Sequence, residues 1–130
     1  MLQLHHIGTL VDDMDSSIKR YQSLFQEGKV SDKTFVSSQG VFVCFIEVAP
    51  QVSLELIEPV GENSIVSGLK KKGISYYHLS YQTDDFEKTL ALLMQLNFKQ
   101  INIFHSEAFE NKRCSFFMSP DMHLIEIVEK

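Results

Sequence analysis

The chain has 130 residues, of which 44% are apolar and 22% charged, and its formal net charge is −5. These values are typical of one soluble globular domain, and the acidic balance argues against a nucleic-acid partner, because duplex binding depends on many Lys and Arg contacts to phosphate. No stretch has the roughly 18 apolar residues of a membrane span, and the first residues lack the regions of a signal peptide, so we expect a cytoplasmic protein without membrane contact.

Cysteine usage agrees with a reducing compartment. Cys44 and Cys114 each lie inside an apolar stretch and have no CxxC partner. This pattern favours two buried, reduced thiols over a disulfide scaffold or a thiolate zinc site.

The first half of the chain is predicted to form a strand, a helix and three further strands. Residues 4–13 are a strand-like run that ends in Asp-Asp, and a helical pattern follows, which Gly28 is expected to end. The next strand candidates and the connecting helix lie at 34–38, 41–48, 52–57 and 62–72.

The second half repeats this order at an offset of 72 residues, which places His6 over His78. Its strand-like run at 76–85 also ends in an acidic pair, which is a natural helix N-cap, and Asp84 with Glu87 has capping-box spacing. Strand candidates follow at 99–104, 113–118 and 123–128. We therefore predict one α+β domain over 1–130, made of repeat 1 (1–60), a linker helix (61–73) and repeat 2 (74–130).

Each half closes on a strand with one acid between aliphatic residues, Leu54-Glu55-Leu56 and Ile125-Glu126-Ile127. Strand side chains alternate, so each carboxylate faces away from its aliphatic neighbours, and a buried carboxylate needs a cation, a hydrogen-bond network or a metal. The acids follow the paired histidines by 49 and 48 positions.

Two imidazoles and two carboxylates form a mixed nitrogen and oxygen donor set for a divalent metal. A single His or Glu in a strand is more often structural, but the recurrence of both favours a metal site of His6, Glu55, His78 and Glu126. His5 alternates onto the opposite face and is expected to be a non-ligand.

Two further histidines and the aromatic residues receive structural interpretations. His105 and His123 have no partner in the repeat and are expected at the surface or in turns. Phe45 and Phe116 are expected in the core or in the wall of a cleft.

These residues resemble the vicinal oxygen chelate superfamily, which includes glyoxalase I, methylmalonyl-CoA epimerase, extradiol dioxygenases and bleomycin-resistance proteins. The segments that carry the resemblance are His-Ile-Gly at 6–8, Leu-Glu-Leu-Ile-Glu-Pro at 54–59, His78, Phe-Met-Ser-Pro-Asp at 117–121 and Ile-Glu-Ile at 125–127. The resemblance implies two βαβββ modules in a curved mixed sheet, with a cleft that holds one divalent metal (Co, Mn, Ni, Zn, Fe or Mg) at the four positions given above. It also implies a homodimer.

Within the superfamily, residues 55–66 and Lys-Lys-Lys-Gly at 70–73 resemble the methylmalonyl-CoA epimerases most. This implies a metal-dependent epimerase or isomerase that acts on a small molecule, such as a methylmalonyl-CoA-like thioester, by proton abstraction next to a carbonyl through a metal-stabilised enolate. Glu126 would then be the proton shuttle. The chain differs from many epimerases at Tyr77, where they carry His, at 106–111, where they are Gly-rich, and at Val43, where some carry a second acid.

Three other functions stay open at this point. A glyoxalase I-type lyase shares the donor set, and substrate alone separates it from an epimerase. An extradiol-type oxygenase uses two His and one carboxylate, so Glu55 argues against it. A metal-free binding or resistance protein of the same fold usually lacks the four donors.

Overall fold

The computed structural model of the chain describes residues 2–25, 29–64 and 66–130. Its strands are β1 (Gln3–Leu10), β2 (Thr34–Val36), β3 (Val41–Ala49), β4 (Val52–Pro59), β5 (Tyr76–Thr83), β6 (Lys99–Gln100), β7 (Phe104–Ser106), β8 (Lys112–Met118) and β9 (Leu124–Glu129). Its helices are α1 (Met14–Leu24), α2 (Ser67–Lys71), α3 (Phe86–Gln95) and a 3₁₀ helix (Glu107–Phe109). Among the described residues, none of these helices is long and apolar enough to span a membrane.

Within the described residues, the strands join in one mixed sheet in the order β2-β3-β4-β1-β5-β9-β8-β6, and β7 also pairs with β8. β1 is parallel to β4 and β5 is parallel to β9, whereas β1 and β5 are antiparallel and join the two halves. The sheet curls into a half-barrel, and the predicted α+β fold is confirmed.

The repeat is visible in where the elements begin. α1 begins at Met14 and α3 at Phe86, and β4 begins at Val52 and β9 at Leu124, so both pairs are 72 residues apart. The chain boundaries proposed for the two repeats stay a prediction.

The strand predicted at 99–104 is instead two short strands, β6 and β7. The cause is a side chain that replaces the backbone ladder between them. The amide N–H of Phe116 donates to Oδ1 of Asn102 at 3.1 Å, and the hydroxyl of Ser115 donates to the carbonyl of Asn102. Regular pairing with β8 is therefore interrupted at Asn102.

The second acid of an Asp pair is the N-cap of each long helix. Asp13 accepts a hydrogen bond from the N–H of Ser16 at 3.0 Å, and Asp85 accepts one from the N–H of Lys88 at 3.1 Å. The N-cap of α3 is therefore Asp85, and the capping box predicted from Asp84 is wrong by one residue.

The other helix boundaries also differ from the predictions. α1 ends at Leu24, and the expected stop at Gly28 lies outside the described residues. α2 is shorter than the predicted 62–72, because Ser64 donates its hydroxyl to the carbonyl of Gln39 and ties the segment before the helix to the first half.

Two clusters of buried apolar residues lie between one face of the sheet and the helices α1 and α3. α1 contributes Met14 to a cluster with Leu56, and α3 contributes Phe86, Leu90 and Leu93 to a cluster that contains Ile125 and Ile127. Cys44 and Cys114 are both buried and free, as predicted. Because both helices cover the aliphatic face of β4 and β9, the acids on these strands face the opposite side.

Candidate metal centre

Four adjacent strands, β4-β1-β5-β9, carry the four predicted donors. Glu55 lies on β4, His6 on β1, His78 on β5 and Glu126 on β9. The aliphatic neighbours of the two acids pack under α1 and α3, so strand alternation turns the carboxylates toward the opposite face of the sheet.

The donor atoms of the four residues lie close together, around the Nε2 atoms of the two histidines. The Nε2 atoms of His6 and His78 are 3.1 Å apart. From Nε2 of His6, the Oε1 atom of Glu55 is at 3.5 Å and that of Glu126 is at 3.2 Å. From Nε2 of His78, the same oxygens are at 3.6 and 3.7 Å. We call these four residues the donor cluster.

All four residues are buried, with exposed fractions between 0% and 6%. Burial acts to lower the pKa of His6, but Glu55 and Glu126 outweigh it and raise that pKa to about 9. Burial likewise acts to raise the pKa of Glu126, but the contacts with His6, His78 and Ser80 lower it. Burial lowers the pKa of His78. Without a metal, the cluster therefore holds one imidazolium, on His6, against ionised Glu126.

A β-bulge in β1 changes the position of His5. The register with β5 shifts between Leu4 and His6, so that His5 is an extra residue in β1. Its ring lies 5.1 Å from that of His6 and also contacts Phe45 and Phe109. The prediction that His5 faces the opposite side of the sheet is therefore wrong, because the bulge breaks the alternation. Nδ1 of His5 is 2.8 Å from Nδ1 of His6.

The second half has a bulge at the equivalent residue, Tyr77, which is 72 positions after His5. Gly8 pairs with His78 and Thr9 pairs with Tyr76, so Tyr77 has no partner in β1. The Tyr77 ring meets the His78 ring edge-on at 4.8 Å. Both histidines of the donor cluster thus follow a bulged residue whose ring lies against them.

Two small residues sit opposite the histidines on β1 and β5. Gly8 pairs with His78, and a Cβ atom at Gly8 would lie 2.5 Å from Nδ1 of that ring. Ser80 pairs with His6 and donates its hydroxyl to Oε1 of Glu126 at 2.9 Å. Sequence reasoning missed both residues, although each stands two positions after a predicted ligand and so shares its face of the strand.

Aromatic rings cover the donor cluster. Phe109 stacks on His6 at 5.7 Å between ring centroids, and Phe45 meets the same ring at 5.3 Å. Phe116 lies 5.2 Å from the ring of His78. The sequence predicts Phe45 and Phe116 in the core or in the wall of a cleft, and their contacts with the two histidines agree with that prediction. No sequence signal marks Phe109, which lies in the segment that is Gly-rich in many epimerases.

The remaining residues singled out in the sequence lie away from the cluster. His105 on β7 and His123 before β9 are exposed, as predicted. Val43, where some epimerases carry an acid, is buried in an apolar cluster with Leu10 and Ile57.

The donor cluster fits a divalent metal ion. Nitrogen and oxygen ligands at 2.0–2.2 Å from a tetrahedral ion lie about 3.3–3.6 Å from one another. The five distances that involve the imidazole Nε2 atoms, 3.1–3.7 Å, are close to this spacing. The ligand atoms of His6, Glu55 and His78 all lie within 4.8 Å of one another. Glu126 is not part of that group of three, but its Oε1 atom lies 3.2 and 3.7 Å from the Nε2 atoms of His6 and His78. Imidazole and carboxylate together suit several divalent metals and select none of them.

Residues 5–116 match the family model described as Glyoxalase/Bleomycin resistance protein/Dioxygenase superfamily. The chain belongs to this superfamily. Among curated proteins, the chain is similar to the ethylmalonyl-CoA/methylmalonyl-CoA epimerase of Cereibacter sphaeroides, with 28% identity over 87 residues. That alignment covers 64% of the present chain and 62% of the relative's own length.

Solved structures of two proteins resemble this superfamily member closely in fold. A hypothetical protein of Bacillus halodurans has a TM-score of 0.87 at 22% identity, with 99% of this chain and 94% of that chain covered. Methylmalonyl-CoA epimerase of Mycobacterium tuberculosis has a TM-score of 0.86 at 21% identity, with 97% and 86% covered. At these identities, the two structures support the fold alone.

Proposed function

We propose that this protein is a metal-dependent epimerase or isomerase that removes a proton next to a carbonyl group, and that its substrate is a methylmalonyl-CoA-like thioester. The observation that carries the proposal is the donor cluster, in which the Nε2 atoms of His6 and His78 lie 3.1 Å apart and each lies 3.2–3.7 Å from a carboxylate oxygen of Glu55 and of Glu126. The similarity to an epimerase of ethylmalonyl-CoA and methylmalonyl-CoA supports the substrate class.

His6, Glu55, His78 and Glu126 would hold the ion. A divalent ion bound there would act as a Lewis acid and stabilise negative charge on a substrate carbonyl oxygen. The chain's own residues then have to orient the substrate, move its proton and exclude water.

Glu126 is the residue that we propose to move the proton. The lowered pKa of its carboxyl keeps it ionised at neutral pH, as a base requires. Ser80 and His6 both contact Oε1 of this carboxylate, so Oε2 is the atom that would take the proton from carbon. Inversion of the centre then requires reprotonation from the opposite side.

The aromatic rings would protect the reacting carbon from water. Phe45, Phe109 and Phe116 surround the histidines, and an environment of low polarity strengthens the interaction of fixed charges with a developing negative charge. Because the donors are buried, we expect Phe109 to move aside when substrate enters.

The test is proton exchange on the substrate. Protein loaded with a divalent metal is incubated with methylmalonyl-CoA in deuterated water, and deuterium at C2 is followed by mass spectrometry. We expect incorporation with the wild-type protein, and a loss of at least about 100-fold with Glu126→Gln, the lower end of what a general base contributes. The matched control is Glu62→Gln, an exposed carboxylate outside the cluster, which should exchange like the wild type.

Two results would contradict the proposal. Metal-loaded protein that exchanges no deuterium rules out this substrate class, and a fully active Glu126→Gln variant rules out Glu126 as the base. The same protein is also assayed with a glyoxalase I substrate, because turnover there without exchange on the thioester would identify the lyase alternative.

A further inference from the structure

His5 contacts His6 of the donor cluster. The contact is made to Nδ1 of His6, the ring nitrogen that faces away from the other three donors. The bulge in β1 brings Nδ1 of His5 to 2.8 Å from Nδ1 of His6, a hydrogen-bond distance. The other nitrogen of the His6 ring, Nε2, is the atom that meets Glu55, His78 and Glu126. His5 and the donor cluster therefore engage opposite ends of one imidazole.

The proton between the two Nδ1 atoms can be assigned if His6 is a ligand. A neutral imidazole carries one proton, so Nε2 has a lone pair for a metal only when the proton is on Nδ1. Nδ1 of His6 must then donate, and Nδ1 of His5 must accept. We propose that His5 is a positioning residue, which accepts this hydrogen bond and thereby aims Nε2 of His6 at the donor cluster; the inference rests on the proposed metal site.

The surroundings of His5 hold it in place for this role. Its ring is half-buried and packs against Phe109 at 5.6 Å and Phe45 at 6.1 Å, both edge-on. Both phenyl rings also pack against His6. The pair of imidazoles is thus enclosed in one aromatic environment, where a hydrogen bond is worth more than in water.

The second half provides a contrast. Tyr77 occupies the position equivalent to His5 and contacts the ring of His78, but Nδ1 of His78 has no hydrogen-bond partner within the described residues. His78 is oriented instead by close packing over Gly8. Of the two histidines in the donor cluster, His6 is the one whose orientation depends on a neighbouring acceptor.

The experiment compares Zn²⁺ affinity by isothermal titration calorimetry in three proteins at one pH. His5→Phe keeps a ring of similar shape but removes the acceptor, and His5→Asn places an amide oxygen near the position of Nδ1. We expect His5→Phe to bind Zn²⁺ about 10- to 100-fold more weakly, as the loss of such an outer hydrogen bond does in other metal sites. His5→Asn should recover most of that loss.

Nitrogen-15 NMR of the Zn²⁺-loaded wild-type protein tests the same inference without a variant. The proposal requires a proton on Nδ1 of His6 and none on Nδ1 of His5, and the reverse assignment would overturn it. Equal affinity of His5→Phe and wild type would overturn it too, as would equal weakness of the Phe and Asn variants, which would indicate packing alone. Wild-type protein that takes up no Zn²⁺ would instead contradict the metal site itself, and the inference with it.

Discussion

Gly8 shows how one missing side chain shapes the donor cluster. The ring of His78 occupies the space that a Cβ atom at residue 8 would need. Such a Cβ atom would lie 2.5 Å from Nδ1 and 2.9 Å from Nε2 of His78. Both distances are shorter than any non-bonded contact allows. The ring can hold its position opposite β1 only because this residue is glycine.

Gly8→Ala should therefore displace the ring of His78. We expect the free energy of unfolding, measured by urea denaturation, to fall by about 1–3 kcal/mol, as in other overpacked sites. We also expect Zn²⁺ binding, measured by calorimetry, to weaken. The matched control is Gly68→Ala in α2, where an added Cβ atom meets no atom within 4 Å. Zn²⁺ affinity equal to wild type in Gly8→Ala would show that the site tolerates the displacement.

The raised pKa of His6 predicts how the stability of the metal-free protein depends on pH. Burial lowers the pKa of His6, but Glu55 and Glu126 raise it to about 9, well above the value of about 6.5 in an unfolded chain. A raised pKa contributes stability that is fully present below the unfolded value and is lost as pH rises through the folded value. Between pH 7.5 and 9, the free energy of unfolding should therefore fall.

Urea denaturation at several pH values in this window measures the effect. His5 and His78 do not obscure it, because burial lowers the pKa of each and both are neutral there. The fall should be smaller in His6→Gln, where only the buried thiols of Cys44 and Cys114, whose pKa burial raises in the folded chain, still contribute to it. It should be unchanged in His105→Gln, which alters an exposed histidine. A stability that is constant or rises across the window in wild-type protein would contradict the assigned charge.

At the scale of elements, the 3₁₀ helix Glu107–Phe109 closes the donor cluster. Its first residue, Glu107, accepts a hydrogen bond from the N–H of Ser37 at 3.1 Å, which ties the helix to the turn after β2. Its last residue, Phe109, stacks on His6. An element from the second half is thus held against the first half, directly over a proposed ligand.

Removing the Phe109 ring should open the cluster to solvent. We expect Phe109→Ala to lose a bound metal to a chelator faster than wild type, measured with a chromophoric zinc indicator. The control is Phe35→Ala, which removes a partly exposed ring that packs on Phe42 away from the cluster. Equal release rates for the two variants would mean that Phe109 does not limit access.

At the scale of the whole molecule, the antiparallel pair β1 and β5 makes one sheet of two similar halves. Neither half alone contains more than one His and one Glu of the donor cluster, so the metal site depends on this pairing. Oligomeric state is a separate matter, and the homodimer that the family resemblance implies stays a prediction, which sedimentation at several concentrations would test.

The repeat, and the side of the strand on which each acid lies, could be predicted from the sequence, because both depend on local spacing. Glu55 and Glu126 stand between aliphatic residues, and alternation turned both toward one side. The position of His5 could not be predicted, because a bulge arises from pairing with a partner strand and not from the bulged residue itself. The place of Phe109 over His6 depends equally on contacts between distant segments.

The measurement that tests the account most directly is the metal content of the protein. Protein purified without a tag is saturated with Zn²⁺, desalted and analysed by mass spectrometry for zinc per chain. We predict one ion per chain for wild type and for His105→Ala, and a loss of the ion from His78→Ala. A wild-type protein that retains no zinc, or a His78→Ala variant that retains as much as wild type, would contradict the claim that the donor cluster is a metal site.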